Sequence, residues 1–77
     1  MKELLEVIAR ALVNSPDEVR VTERTGEDGT IVLELSVAPD DMGKVIGKKG
    51  RIAKSIRTVV KTAAQRKDQK VFVDIVD

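Results

Sequence analysis

Two glycines framing two lysines constrain this chain more than any other feature. Val45-Ile46-Gly47-Lys48-Lys49-Gly50-Arg51 lies between a short apolar turn and a long basic helix. Glycine has no Cβ, so the backbone can turn sharply there and a ligand can approach it closely. The second glycine opens a helix, whose first N–H groups have no intrahelical acceptor and point outward. Those donors, with the positive end of the helix dipole, favour an anion such as a phosphate. The two lysines add charge at the same place. The loop reads as a local site for a polyanion.

The distribution of charge agrees with that reading. The net charge is only +1, which by itself says nothing about a partner. Residues 1–43 carry four basic residues (Lys2, Arg10, Arg20, Arg24) against ten acidic ones. Residues 44–70 carry ten basic residues against Asp68 alone. Clustered Lys and Arg form the electrostatic footprint of phosphate binding.

Other function classes meet obstacles in composition. The chain has no Cys and no His, which removes disulfides, thiolate metal sites and the commonest general base. Ser15, Ser36 and Ser55 have no histidine to activate them, and no catalytic role is expected. Asp40-Asp41 reads as a helix cap; two adjacent carboxylates with no third ligand make a poor metal site. No cofactor is implied. A P-loop needs four residues between its glycines and Ser or Thr after the lysine, whereas Gly43 to Gly47 encloses three and Lys48 is followed by Lys49. Residues 1–13 are interrupted by Lys2, Glu3, Glu6 and Arg10, which suits neither a signal peptide nor a membrane span. A cytoplasmic location is expected.

The 77 residues are expected to form one domain, near the lower size for a self-sufficient core. Apolar residues at helical spacing (Leu5, Ile8, Ala9, Leu12) predict a helix over 2–13, stopped by Asn14-Ser15-Pro16. Residues 19–25 read as a strand. Gly26-Glu27-Asp28-Gly29 follows as a hairpin turn, and Ile31, Leu33, Leu35 and Val37 alternate as a half-buried second strand. Asp40 or Asp41 caps a short helix through about Ile46. The glycine loop leads into a helix over about 51–66, with Ile52, Ile56, Val59, Val60 and Ala63 on its apolar face. A strand over 71–76 closes the chain, with Val71, Val73 and Ile75 inward, and Phe72 is expected to be packed. The order α-β-β-α-α-β predicts an α+β domain, a three-stranded sheet covered on one face by three helices.

Helix, Val-Ile-Gly-Lys-Lys-Gly, helix, then strand: across the whole chain this resembles a KH domain, whose signature is a G-x-x-G loop between two helices, usually preceded by Ile-Gly. The helix and strand before the core resemble the type II, bacterial form, and within it the small stand-alone KH proteins. The resemblance implies a cytoplasmic single-stranded RNA-binding protein, an RNA chaperone or post-transcriptional regulator linked to cell elongation. It also implies homodimers, or pairing with a larger KH-containing partner. An alternative is that the domain is mainly a protein-interaction module. Duplex DNA binding through a helix-turn-helix is a further rival, which the three strands disfavour.

Carried over residue by residue, the resemblance implies that Gly47, Lys48, Lys49 and Gly50 contact the backbone of about four nucleotides. Lys44 and Arg51 flank that clamp, and Lys54, with Arg57 and Lys61, reads equally well as RNA contact or as a solvated helix face. Val45, Ile46, Ile52 and Ile56 are candidates for an apolar floor under the bases, although Ile52 and Ile56 read equally well as core. Leu35 and Val37 would form the opposite wall, with backbone donors from their strand. With Phe72 as the sole aromatic, no stacking platform of the RRM or OB type is expected. Binding by one domain is expected to be weak and sensitive to salt.

Overall fold

The structure, a computed structural model, describes residues 1–76. It runs α1 (Lys2–Leu12), β1 (Arg20–Thr25), β2 (Ile31–Ser36), α2 (Met42–Ile46), α3 (Arg51–Gln65), β3 (Val71–Val76), with short 3₁₀ turns at Pro16–Glu18, Pro39–Asp41 and Lys48–Gly50. The predicted element order and the α+β class both hold.

The sheet order is β1-β2-β3. β1 and β2 pair antiparallel, with Val21 opposite Leu35 and Glu23 opposite Leu33. The hairpin between them turns at Gly29, whose φ is +86°, a value any side chain would make strained. The Asp28 carboxylate accepts the Thr30 N–H and hydroxyl, each at 3.0 Å, across the same turn. β2 and β3 pair parallel, with Leu33 opposite Val73 and Leu35 opposite Ile75. A parallel pair needs a long crossover; here the crossover contains α2, the glycine loop and α3. β2 is thus the central strand, and β1 and β3 are edges.

Period-two alternation sends Val21, Leu33, Leu35 and Val73 to one face of the sheet. There they meet Leu5 and Ala9 of α1, Val45 of α2, and Ile56 and Val60 of α3 in one buried core. Removing such side chains from water is the main stabilising term, about 1.5–3 kcal/mol for each fully buried Val, Leu or Ile.

Several expectations need correction. Val19 is buried but lies outside β1, because its N–H closes the preceding turn onto the Pro16 carbonyl at 3.2 Å. α1 stops at Leu12, since Val13 is already extended. Asp41 occupies the N-cap position of α2, yet its carboxylate caps nothing there. It is 2% exposed and accepts the backbone N–H groups of Asn14 at 3.1 Å and Ser15 at 3.0 Å. Asp41 therefore ties the end of α1 to the start of α2, while Asp40 is exposed. Phe72 is not packed: it projects from the helix-free face of the sheet and is 51% exposed.

Candidate nucleic-acid interface

The loop is built on an unusual backbone. Gly47 has φ 75° and ψ 174°, a region essentially confined to glycine. A Cβ there would stand 2.5 Å from Ile52 Cγ1, so Gly47 is required by close approach as well as by dihedral. Lys49 adopts φ 58°, and Gly50 follows at φ 73° with open space around it. The Gly50 N–H closes the turn onto the Gly47 carbonyl at 3.1 Å. Lys48 and Lys49 are exposed at the tip. Gly50 then serves as the N-cap of the fifteen-residue α3, which sets the positive dipole end beside those lysines, while its first N–H, that of Arg51, is donated to the Lys48 carbonyl.

α3 has two unlike flanks. Ala53, Ile56, Val60 and Ala64 are buried on the sheet. On one side of that stripe, Ile52, Ser55 and Val59 border an apolar seam shared with Ile8 and Leu12 of α1. The seam continues through Leu4, Thr62 and Ala63. On the other side, Lys54, Arg57 and Lys61 recur at spacings of three and four, which places them in one row. All three are exposed. Arg57 of this row reaches β3: its Nε–H donates to the Val73 carbonyl at 3.0 Å. Its guanidinium carbon lies 5.7 Å from the centre of the Phe72 ring.

That hydrogen bond identifies the free edge of the sheet. The Lys70 carbonyl accepts from Ile31 of β2, whereas the Val73 carbonyl turns away from β2 to Arg57. Strand alternation therefore directs the N–H and C=O groups of Val71, Val73 and Ile75 outward, beside the basic row of α3. The basic row of α3, the helix that the glycine loop opens, therefore lies beside the open backbone edge of β3, and the two are the walls of a candidate groove.

The candidate residues named from sequence separate into two groups. Lys44, Lys48, Lys49, Arg51 and Lys54 are exposed around the loop, with Ile46 37% exposed beside them. Val45, Leu35, Val37 and Ile56 are buried in the core and have no surface to offer a base. Ile52 is partly buried under Gly47 and faces the α1 seam. The backbone of Leu35 is also occupied, because β2 pairs on both sides. The strand with an open backbone edge beside the basic row is β3, not β2. The signal for this was the strand order: a parallel partner added after a crossover becomes an edge.

No helix among the described residues is long and apolar enough to cross a membrane. Among those residues no group of three His, Cys, Asp or Glu could hold a metal ion.

The two-layer α-β-β-α-α-β domain, with a Gly-Lys-Lys-Gly turn joining two helices, is of the KH class. Comparison with known proteins narrows this further. The KhpA/KhpB KH-domain family matches residues 2–75, and the chain belongs to that family, which is not a family of enzymes. Among its relatives, RNA-binding protein KhpA of Clostridium acetobutylicum is 63% identical over 99% of this chain and 100% of its own length. The protein of the same name from Clostridium perfringens is 60% identical over the same shares of both chains. Era of Aquifex aeolicus bears a structural likeness at TM-score 0.65 and 20% identity, covering 96% of this chain and 28% of Era. A structure of Era in complex with MgGDPNP and a segment of 16S ribosomal RNA gives TM-score 0.67 with the same identity and coverage. At that identity the Era likeness speaks for the fold.

Proposed function

We propose that this protein binds single-stranded RNA, with the Gly47–Gly50 loop gripping the phosphate backbone. The observation that carries the reading is Lys48 and Lys49 exposed on a glycine-bounded turn, directly at the N-terminus of α3, the helix that carries Lys54, Arg57 and Lys61. The relatives named RNA-binding protein KhpA support the choice of ligand. Phosphates enter at the loop, Lys44 and Arg51 flank them, and the strand continues along the basic row for about four nucleotides. Bases turn toward the outward N–H and C=O groups of β3 and toward Ile46. A groove with little aromatic surface binds modestly, on the scale of ~10⁻⁴–10⁻⁶ M typical of electrostatic contacts. The cellular role that fits is that of a cytoplasmic RNA chaperone or post-transcriptional regulator linked to cell elongation. Replacing Lys48 and Lys49 by Asp abolishes binding of a short single-stranded RNA while the circular dichroism spectrum stays native. Undiminished affinity in that variant would overturn the reading.

A second property follows from a separate observation. Val59 is 48% exposed and Leu12 37% exposed along the α1–α3 seam, so apolar surface remains uncovered on the flank away from the basic row. We infer that this seam pairs with a second copy or with a larger KH-containing protein. Pairing there leaves the groove open and joins two weak sites into one avid one.

A further inference from the structure

Phe72 is the only aromatic residue of the chain, and half of it is exposed on a sheet edge. It lies in register with Val32 on the helix-free face. Arg57 reaches it from α3 across the β3 edge, with its guanidinium carbon 5.7 Å from the ring centre. Cation and ring attract each other in this arrangement. The Nε–H bond to the Val73 carbonyl holds the guanidinium at the rim, where the groove meets the open face of the sheet. Aromatic rings and guanidinium planes are the two side-chain surfaces on which nucleobases stack. Here both occur together, where an edge strand meets the middle of a basic row.

We propose that Arg57 and Phe72 form a stacking site for one additional nucleobase, beyond the stretch gripped by the loop. This rests on the RNA-binding reading above. The ring specifies a base rather than a phosphate at Phe72, because a phosphate gains nothing from an apolar face on which a base can stack. Glu34 and Asp74 stand opposite each other two residues along from Val32 and Phe72 on the same side, with Glu34 already paired to Arg24 at 3.6 Å. The exposed Lys54 and Lys61, which draw phosphates, lie on α3. A strand whose backbone follows α3 therefore directs a neutral planar base outward, over Arg57 and Phe72. Stacking tolerates every base, so the site lengthens the bound stretch without selecting sequence.

The chain has no Trp or Tyr, so F72W gives a single fluorescent reporter in the otherwise intact protein. The probes are an oligoadenylate of about four nucleotides, longer oligoadenylates, and the longer ones with one abasic position moved along the strand. The longer oligoadenylates quench the indole of F72W, and one abasic position abolishes the quenching. F72L, with an unchanged melting temperature, binds the longer oligoadenylates about tenfold more weakly and the shortest one as well as the wild type does. R57K, which keeps the charge but loses the plane, weakens the same long ligands. If the wild type binds the long ligands and loses them on K48D/K49D, while F72L binds every length as the wild type does, the stacking site is overturned and the loop stands. If the wild type binds none of them, both readings fall together. Quenching that is indifferent to every abasic position also overturns the site.

Discussion

Ile52 fills the space that a Cβ on Gly47 would need, with its Cγ1 2.5 Å and its Cδ1 2.8 Å from that position. The two glycines of the loop are therefore unequal. Gly47 combines a glycine-only dihedral with steric exclusion, whereas Gly50 requires only a left-handed φ in open space. Gly47→Ala is expected to destabilise the domain by about 2–4 kcal/mol, and Gly50→Ala by about 1 kcal/mol. Urea unfolding of both variants checks the difference. It also decides how binding data are read: loss of RNA in the Gly47 variant reports a damaged fold, and loss in the Gly50 variant reports the loop.

Asp41 supplies a second stability test. Its carboxylate receives two backbone donors from a distant segment while almost wholly buried. Asp41→Ala leaves the Asn14 and Ser15 N–H groups without that acceptor and should destabilise by about 3 kcal/mol. Hydrogen exchange of those two amides should accelerate well before the amides of β2 do.

Salt dependence separates the loop from the row. Each phosphate neutralised on a single strand contributes a slope of about −0.7 in log K against log salt. Lys48→Ala with Lys49→Ala should therefore flatten the slope by about 1.4, and Lys54→Ala by about 0.7. Affinity titrations over a range of salt concentrations measure both.

Pairing through the α1–α3 seam predicts that Val59→Glu yields a monomer. Val59 is exposed in the single chain, so the substitution leaves the fold in place. Sedimentation velocity at tens of micromolar distinguishes the two states. The variant should retain single-site RNA binding and lose any gain that comes from two linked sites.

The hairpin turn carries a pH signature. The Thr30 backbone N–H, then its hydroxyl, hold the Asp28 carboxyl below the ordinary carboxylate range, with Lys70 adding a smaller pull in the same direction. A lowered folded-state value means that the charged form is favoured by folding. That contribution is present above the unfolded value and is lost as pH falls through the folded one. An NMR titration should find the Asp28 midpoint below that of an unstructured peptide, and Thr30→Val should raise it only in part, because the backbone N–H at position 30 still donates.

The hydrophobic pattern made the element order legible, because period-two and period-3.6 signals alternate cleanly along the chain. The loop was legible from Gly47, Lys48, Lys49 and Gly50 alone. The opposite wall of the groove was not. Leu35 and Val37 have the side chains of a wall, but which strand ends up central depends on pairing, and pairing is not written in any one segment. Phe72 misled for a related reason. A lone aromatic in an apolar strand suggests core, yet its parity with Asp74 puts it on the face that no helix covers. Asp40-Asp41 reads locally as a cap for α2, but the Asp41 carboxylate bonds instead to partners 26 and 27 residues away in sequence, beyond any local signal.

The crossover between β2 and β3 has a bearing on synthesis. A chain made only as far as Gln65 already holds both loop lysines and all of α3. It has no β3, so Arg57 has no Val73 carbonyl to bind and the groove has a single wall. On the reading proposed above, the cationic loop is present early, but the surface proposed to receive bases is completed only when the strand after α3 docks beside β2. A nascent chain would thus attract polyanions before it can hold one in register, and assembly of the sheet is what converts that attraction into a binding site.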